Sequence, residues 1–173
     1  MARIFEGLLW VHYSQAYVGP WDSDGIVLQD AFHGQNNGLC GAALPGALFL
    51  ITGLHTGRVG FTVNVLEASP PLGDTWEEIV EVSFAPDLGR TTLNDWNGNC
   101  VCDIPLQEKN YRVRYCARNM DLGREVDTLL DDDATVDFYS LTFWLDDPAP
   151  DVVVKQTSEQ AVYWHNWVRT LNR

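Results

Sequence analysis

Basic residues are scarce in this sequence. Its 173 residues include 11 lysines and arginines against 24 aspartates and glutamates, which gives a formal net charge of −13. Nucleic acids and anionic membrane surfaces attract proteins through positive charge, so this composition disfavours direct binding to either. A negative surface suits a basic protein partner, because opposite charges accelerate the encounter. Plain solubility would explain the same charge equally well.

Long apolar runs are also lacking. No stretch approaches the roughly 20 residues that cross a bilayer as a helix. The N-terminal segment has one basic residue, Arg3, and its short apolar stretch is broken by His12 and Tyr13. A secretory signal would need a positive start followed by an uninterrupted apolar stretch. We therefore expect a protein of the bacterial cytoplasm that does not associate with membranes.

The cysteines match no zinc-binding or redox motif. They are Cys40, Cys100, Cys102 and Cys116, and no C-x-x-C pair occurs. Free cysteines are commonly buried as small apolar side chains, and we favour this interpretation. An alternative is a zinc site built from Cys100, Cys102, Cys116 and a histidine. We expect no cofactor and no metal.

No complete catalytic motif is present. The histidines lie far apart and no H-E-x-x-H motif occurs, so metal-dependent hydrolysis has little support. Cys40 lies among small residues between Gly38 and Ala42, a setting that suits a nucleophile. A packed loop thiol explains this position better, because no motif around Cys40 is complete. We therefore expect a protein that is not an enzyme, with a Cys40-dependent enzyme as an alternative.

Alternation of apolar and polar residues predicts a chain made mostly of strands. Residues 58–67 alternate cleanly, and residues 47–52 form the continuous apolar run of a strand covered on both faces. A turn at residues 54–57 is predicted to join these two strands as a hairpin. Residues 19–46 are predicted to form a long loop with a helical turn near residues 26–32. The predicted strands are residues 7–18, 47–52, 58–67, 76–84, 91–96, 101–106, 111–117 and 137–145.

The pattern changes to helical spacing near the C-terminus. Apolar residues recur three or four positions apart at Ala161, Trp164, Val168 and Leu171. Thr157 is the predicted N-cap, because Gln160 would complete a capping box with it. The fold prediction is a single domain, residues 1–173. It consists of an antiparallel β-sandwich, jelly-roll or C2-like, over residues 4–147 and a helix over residues 157–171.

Residues 120–151 carry most of the negative charge. Ten acidic residues lie in this segment, and only Arg124 opposes them. Such runs usually form solvated loops, and a surface that binds a basic protein is the competing interpretation. A calcium site is a third possibility. The consecutive Asp131, Asp132 and Asp133 lack the spaced acids and the glycine of a known calcium loop.

Two tryptophans lie in predicted loops beside acidic residues. Trp21 precedes Asp22 and Asp24, and Trp96 follows Asp95. Exposed aromatic rings rimmed by charge are typical of protein-binding hot spots, and carbohydrate stacking is the rival explanation. The predicted partner-binding residues are Trp21, Asp22, Asp24, Trp96, Asp121, Asp127, Asp131, Asp132, Asp133 and Asp137.

A small basic group contrasts with these acids. Its members are Lys109, Arg112, Arg114 and Arg118. On a strand, Arg112 and Arg114 would share one face. We expect this face to be exposed, with its arginines paired to neighbouring acids.

Three segments resemble the competence nuclease inhibitor (ComJ-like) family and bacterial immunity proteins built on a β-sandwich. The segments are residues 13–18, 38–65 and 103–116, and the likeness extends loosely over residues 8–145. This resemblance implies an acidic inhibitor that binds and neutralises a basic toxin enzyme such as a nuclease. The alternatives are a C2-like calcium- or carbohydrate-binding module and the Cys40-dependent enzyme.

Overall fold

The computed structural model describes residues 2–19, 25–87 and 89–172, and most of the regular structure is β. The strands are β1 Ala2–Val11, β2 Gln15–Val18, β3 Cys40–Gly41, β4 Leu48–Ile51, β5 Gly57–Leu66, β6 Glu78–Phe84, β7 Thr92–Asn94, β8 Cys100–Asp103, β9 Tyr111–Arg118, β10 Phe138–Leu145 and β11 Val152–Lys155. The helices are α1 Leu28–Ala31, α2 Met120–Val126 and α3 Glu159–Leu171. None of these helices is long and apolar enough to span a membrane.

The strands form two sheets. One has six strands in the order β1-β5-β10-β9-β6-β11, and the other has five in the order β3-β4-β2-β7-β8. The larger sheet departs from the antiparallel prediction, because β5 and β10 run parallel with Phe61 opposite Tyr139. Side-chain alternation is the same in parallel and antiparallel strands, so the sequence pattern carries no information on strand direction.

One hydrophobic core contains residues from both sheets. Val59, Phe61 and Val63 of β5 are buried, as the alternation predicts. All four residues of β4 are buried, as the continuous apolar run predicts. The Tyr115 hydroxyl of the larger sheet donates a hydrogen bond to the Ile51 carbonyl of the smaller sheet at 2.9 Å. The chain is therefore mostly β with two sheets and a C-terminal helix; the jelly-roll and C2-like topologies stay predictions.

The chain crosses between the sheets at two places where the sequence pattern predicts one continuous strand and a hairpin, respectively. Residues 7–18 are not one strand, because β1 lies in the larger sheet and β2 in the smaller. Tyr13 and Ser14 make the corner with φ angles of 51° and 58°. The predicted hairpin at residues 54–57 is also wrong, since β4 and β5 lie in different sheets. Polar residues mark a break at both places, but a local pattern does not show whether the next strand stays in the same sheet.

The C-terminal helix is confirmed, but its N-cap is Ser158 and not Thr157. The Ser158 hydroxyl accepts a hydrogen bond from the Ala161 amide at 3.1 Å, whereas the Thr157 hydroxyl donates to the Glu77 carbonyl. A helix N-terminus leaves four backbone N–H groups without intrahelical partners. Here the carboxylate of the buried Glu78 accepts a hydrogen bond from the amide of Ser158. The sequence pattern predicts neither β11 nor α2.

The arginines of β9 are covered rather than exposed, which corrects the prediction for this face. Arg112 and Arg114 are both buried. Arg114 forms an ion pair with Glu81 at 2.8 Å, as expected of an arginine beside an acid, and Arg112 lies 3.9 Å from the same carboxylate. Loops close over them, since Arg112 donates to the Ala149 carbonyl and Arg114 to the Pro70 carbonyl.

Candidate protein-binding surface

Four rings meet where the chain crosses between the sheets. The His12 ring lies 4.2 Å from the Tyr13 ring, 5.5 Å from the His55 ring and 4.7 Å from the Trp96 ring, measured between centroids. Tyr13 is 56% exposed, and His12, His55 and Trp96 are half-buried. We call these four residues the corner cluster. Its outer part is an aromatic surface that solvent reaches.

Hydrogen bonds hold the corner cluster from below. Nδ1 of His12 and Nδ1 of His55 each lie 2.7 Å from the Thr56 hydroxyl, so one threonine orients both imidazoles. The Ser14 amide donates to the His55 carbonyl at 3.0 Å, which ties the corner to the second crossing. Rings held in one orientation lose little conformational freedom on binding a partner.

The loop that carries Trp96 is also held in place. The Asp95 carboxylate accepts hydrogen bonds from the backbone amide of Asn99 at 2.9 Å and from its side-chain amide at 3.1 Å. Gly98 completes the turn with a φ of 82°, a value that favours glycine. Asp95 therefore stabilises the loop, and Trp96 reaches the corner cluster on a fixed support.

An acidic loop lies directly beside the corner cluster. We use this term for residues 127–133, the first part of the connection from α2 to β10. The Asp127 carbonyl accepts hydrogen bonds from the amides of His55 and Thr56 at 3.0 Å each. The Leu129 amide donates to the Thr56 carbonyl at 2.9 Å. These bonds join the predicted acidic segment to the residues that orient the histidines.

The acidic loop presents its carboxylates to solvent. Asp127, Asp131, Asp132 and Asp133 are all exposed. The Asp133 carboxylate accepts a hydrogen bond from the Leu130 amide at 2.7 Å. The Leu130 side chain at this turn is 73% exposed. Arg58 lies 3.3 Å from Asp131, and Arg124 lies 4.0 Å from Asp127. Both are exposed ion pairs, which are weak, so the loop keeps its negative potential.

The structure brings together only some of the predicted partner-binding residues. Trp96, Asp127, Asp131, Asp132 and Asp133 lie in or beside the surface just described. Trp21, Asp22 and Asp24 lie outside the described residues. His12, Tyr13, His55 and Leu130 were missed by sequence reasoning, because residues so far apart in the chain give no local signal of their proximity.

Asp137 is a correction to the predicted set. Its side chain is completely buried and accepts hydrogen bonds from the Tyr139 hydroxyl at 2.6 Å and the Leu54 amide at 3.0 Å. Burial raises the pKa of this carboxyl above its usual value. An acid enclosed in this way supports the fold and does not reach a partner.

Asp121 is exposed but already bound within the chain. Its two carboxylate oxygens accept hydrogen bonds from the amides of Glu159 and Gln160, each at 3.0 Å. Negative charge at a helix N-terminus is stabilising, because it offsets the helix dipole and the free N–H groups. Asp121 therefore holds α3 against α2, and its carboxylate is already used within the chain.

The cysteines do not form the alternative sites. Cys40 is completely buried, and burial raises its pKa well above the usual value for a thiol. A catalytic cysteine needs the opposite environment. Cys102 and Cys116 lie on different sheets, so the considered zinc ligands are not assembled. In the described parts of the chain, no group of three or more His, Cys, Asp or Glu side chains is placed to hold a metal.

No protein-family model matches the sequence, and no curated protein matches it. Solved structures match its fold. ComJ from Bacillus subtilis, an inhibitor of the DNA-degrading activity of NucA, superposes with a TM-score of 0.57 at 17% identity, over 84% of this chain and 98% of ComJ. The fold resembles that of ComJ. The structure of Crocagin biosynthetic gene J superposes with a TM-score of 0.50 at 14% identity, over 85% of this chain and 100% of that one.

These identities establish similarity of fold alone. The resemblance to the ComJ-like family that the sequence suggested is confirmed at that level.

Proposed function

We propose that this protein is an acidic inhibitor that binds a basic enzyme, such as a nuclease, through the corner cluster and the acidic loop. The observation that carries the proposal is the direct attachment of the two features. The Asp127 carbonyl accepts hydrogen bonds from the amides of His55 and Thr56, so the partly exposed rings and the exposed carboxylates form one surface.

The two features would contribute differently to binding. Large aromatic side chains such as Tyr13 and Trp96 supply most of the free energy in protein interfaces when a partner buries them. The carboxylates of the acidic loop would attract a positively charged partner and accelerate the encounter. At a nuclease, they would also occupy positions that substrate phosphates normally take. Such an inhibitor needs no catalytic residues of its own.

The comparisons support this proposal at the level of the scaffold. ComJ inhibits a DNA-degrading enzyme and has a similar fold. We extend to this chain the role of enzyme inhibitor, together with a bacterial cytoplasmic location. The location is supported by the four cysteines, which are free although oxidising compartments favour disulfides. We also propose that the two sheets form a β-sandwich.

The test begins with the tagged chain expressed in its own cells. We expect it to co-purify with an enzyme of positive net charge, and we expect adding the purified chain to reduce that enzyme's activity. Binding should weaken as the salt concentration rises, because exposed charges are screened. A partner that is acidic, or that keeps full activity in the complex, would contradict the proposal.

Two sets of variants assign the inhibition to the proposed surface. Tyr13→Ala and Trp96→Ala should each weaken inhibition, whereas Leu72→Ala removes a similarly exposed apolar side chain elsewhere and should not. The triple variant Asp131→Asn, Asp132→Asn, Asp133→Asn should slow association. Its matched control is Glu67→Gln, Asp74→Asn, Glu108→Gln, which removes the same charge from other exposed positions. Equal effects of the two triple variants would mean that only net charge matters.

A further inference from the structure

A groove crosses the outer face of the six-stranded sheet, on strands β1, β5, β10 and β9. Its volume is about 580 Å³, within the range of small-molecule sites. Residues that line it include Leu8, Thr62, Trp76, Arg118, Phe138 and Ser140. None of these belongs to the corner cluster or to the acidic loop. The groove is therefore a separate feature of the molecule.

The guanidinium of Arg118 lies in the wall of the groove between two aromatic rings. It is 4.8 Å from the centroid of the Phe138 ring and 5.7 Å from that of the Trp76 ring. Contact with aromatic faces stabilises a cation and fixes the plane of a guanidinium. In the described parts of the chain the side-chain N–H groups of Arg118 donate no hydrogen bond, so they remain available to a ligand.

Arg118 differs from the other arginines on the same face of β9. Arg112 and Arg114 share the Glu81 carboxylate. Among the described residues, no carboxylate lies within ion-pair distance of Arg118. In a chain with a net charge of −13, an arginine without an acidic partner in a groove is an unusual local charge. A bound anion would supply the negative charge that Arg118 lacks.

The remaining walls include Arg3 and Glu6, whose opposite charges form an ion pair at 2.6 Å, and apolar surface that suits the body of a ligand. Leu8 is 55% exposed on one side, and the Phe138 ring lies over Gly60, where a side chain would overlap it. The hydroxyl of Ser140 has no hydrogen-bond partner among the described residues, and Thr62 lies beside it on β5. Apolar walls with a few convergent polar groups are typical of sites for small organic molecules.

We propose that this groove binds a small organic anion, with a carboxylate or phosphate head on Arg118 and an apolar or aromatic body between Leu8 and Phe138. Guanidinium groups bind both heads through paired charge-assisted hydrogen bonds. The Ser140 hydroxyl supplies an additional donor, whereas the Thr62 hydroxyl already donates to the Tyr139 carbonyl at 3.5 Å. This proposal does not rest on the inhibitor function, because the two surfaces share no lining residue.

The test is a titration of the whole chain followed by NMR of the Arg118 Nε–H and Trp76 indole N–H signals. The probes are naphthoate, naphthyl phosphate and the uncharged naphthamide. We expect at least one anion to shift both signals in a saturable manner, and the amide to bind about tenfold more weakly, as loss of a charge-assisted hydrogen bond implies. Preference for one of the two anions would support the proposal and identify the head group.

Variants test the role of the charge. Arg118→Gln should weaken binding of the anion about tenfold, whereas Arg118→Lys, which keeps the charge, should restore part of the affinity. The control Arg90→Gln removes an exposed arginine elsewhere and should bind as the wild type does. Equal binding of anion and amide to the wild-type chain, or no saturable shift with any probe, would overturn the proposal even if Arg118→Gln failed to fold.

Discussion

The backbone amide of Gly38 donates a hydrogen bond to Nδ1 of His165 at 2.9 Å, inside the protein. His165 is completely buried, and a side chain at position 38 would overlap the carbonyl of Trp164. Because Nδ1 accepts, the neutral ring carries its hydrogen on Nε2. A second proton on Nδ1 would point at the Gly38 N–H and would place a charge in the core. The loop before β3 therefore requires a neutral histidine in α3.

We predict that this contact makes the protein less stable as the pH falls. The pKa of His165 is lowered from 6.5 to about 4, first by burial and then by nearby Arg169, while Asp151 opposes both. The unfolded chain then binds more protons than the folded chain between these two values, so the free energy of unfolding decreases as the pH falls from 6.5 towards 4. Urea unfolding at a series of pH values measures this slope.

The variant His165→Gln isolates this contribution. Glutamine does not titrate, so the variant should lose the part of the slope that His165 provides. Glu78 and Asp137, whose pKa values are raised by burial, contribute with the opposite sign in both proteins. Parallel pH profiles of wild type and variant would show that His165 does not titrate as the structure implies.

We predict that Asp121→Asn destabilises the protein by about 1 kcal/mol, as loss of a charged helix cap usually does. Its carboxylate accepts hydrogen bonds from both Glu159 and Gln160 at the start of α3. The control Asp132→Asn removes the same charge from an exposed side chain that makes no hydrogen bond or ion pair with the described residues. Chemical unfolding should separate the two variants, and equal stabilities would rule out the capping role.

We predict a larger loss for Glu81→Gln. This substitution leaves the buried guanidinium groups of Arg112 and Arg114 without their shared carboxylate. Breaking a buried ion pair from one side costs about 3 kcal/mol, because the remaining charge is not compensated. Asp103→Asn, which removes the carboxylate from the exposed Arg90, should have a much smaller effect on the unfolding midpoint. Equal shifts in the two variants would contradict the burial of this ion pair.

We predict that the cysteines react with iodoacetamide in a fixed order in the folded protein. Cys100 is exposed and should react first. Burial raises the pKa of Cys102 to about 11 and that of Cys116 to about 12, so both should react slowly at neutral pH. The buried Cys40 should react only after unfolding. Mass spectrometry of peptides measures the order, and early modification of Cys40 would revive the idea of a cysteine-dependent enzyme.

The local sequence determined most of the strands and the C-terminal helix. The alternation of Val59, Phe61 and Val63 with polar neighbours marks β5, and residues 47–52 mark a strand buried on both faces. Both signals are local, because a strand places successive side chains on opposite faces whatever its neighbours are. The charge pattern likewise predicted the exposed aspartates of the acidic loop.

Only the tertiary structure decided which strands pair and which residues meet. The parallel pairing of β5 with β10 and the two crossings between sheets depend on how distant segments share a core. The same packing buried Asp137, tied Asp121 to α3, and gathered His55 and Trp96 around His12. The physical reason is that the spacing of apolar and polar residues reflects only the local backbone conformation, which is set by neighbours along the chain. Burial, pairing and the assembly of a surface depend on residues that the chain brings together from far apart.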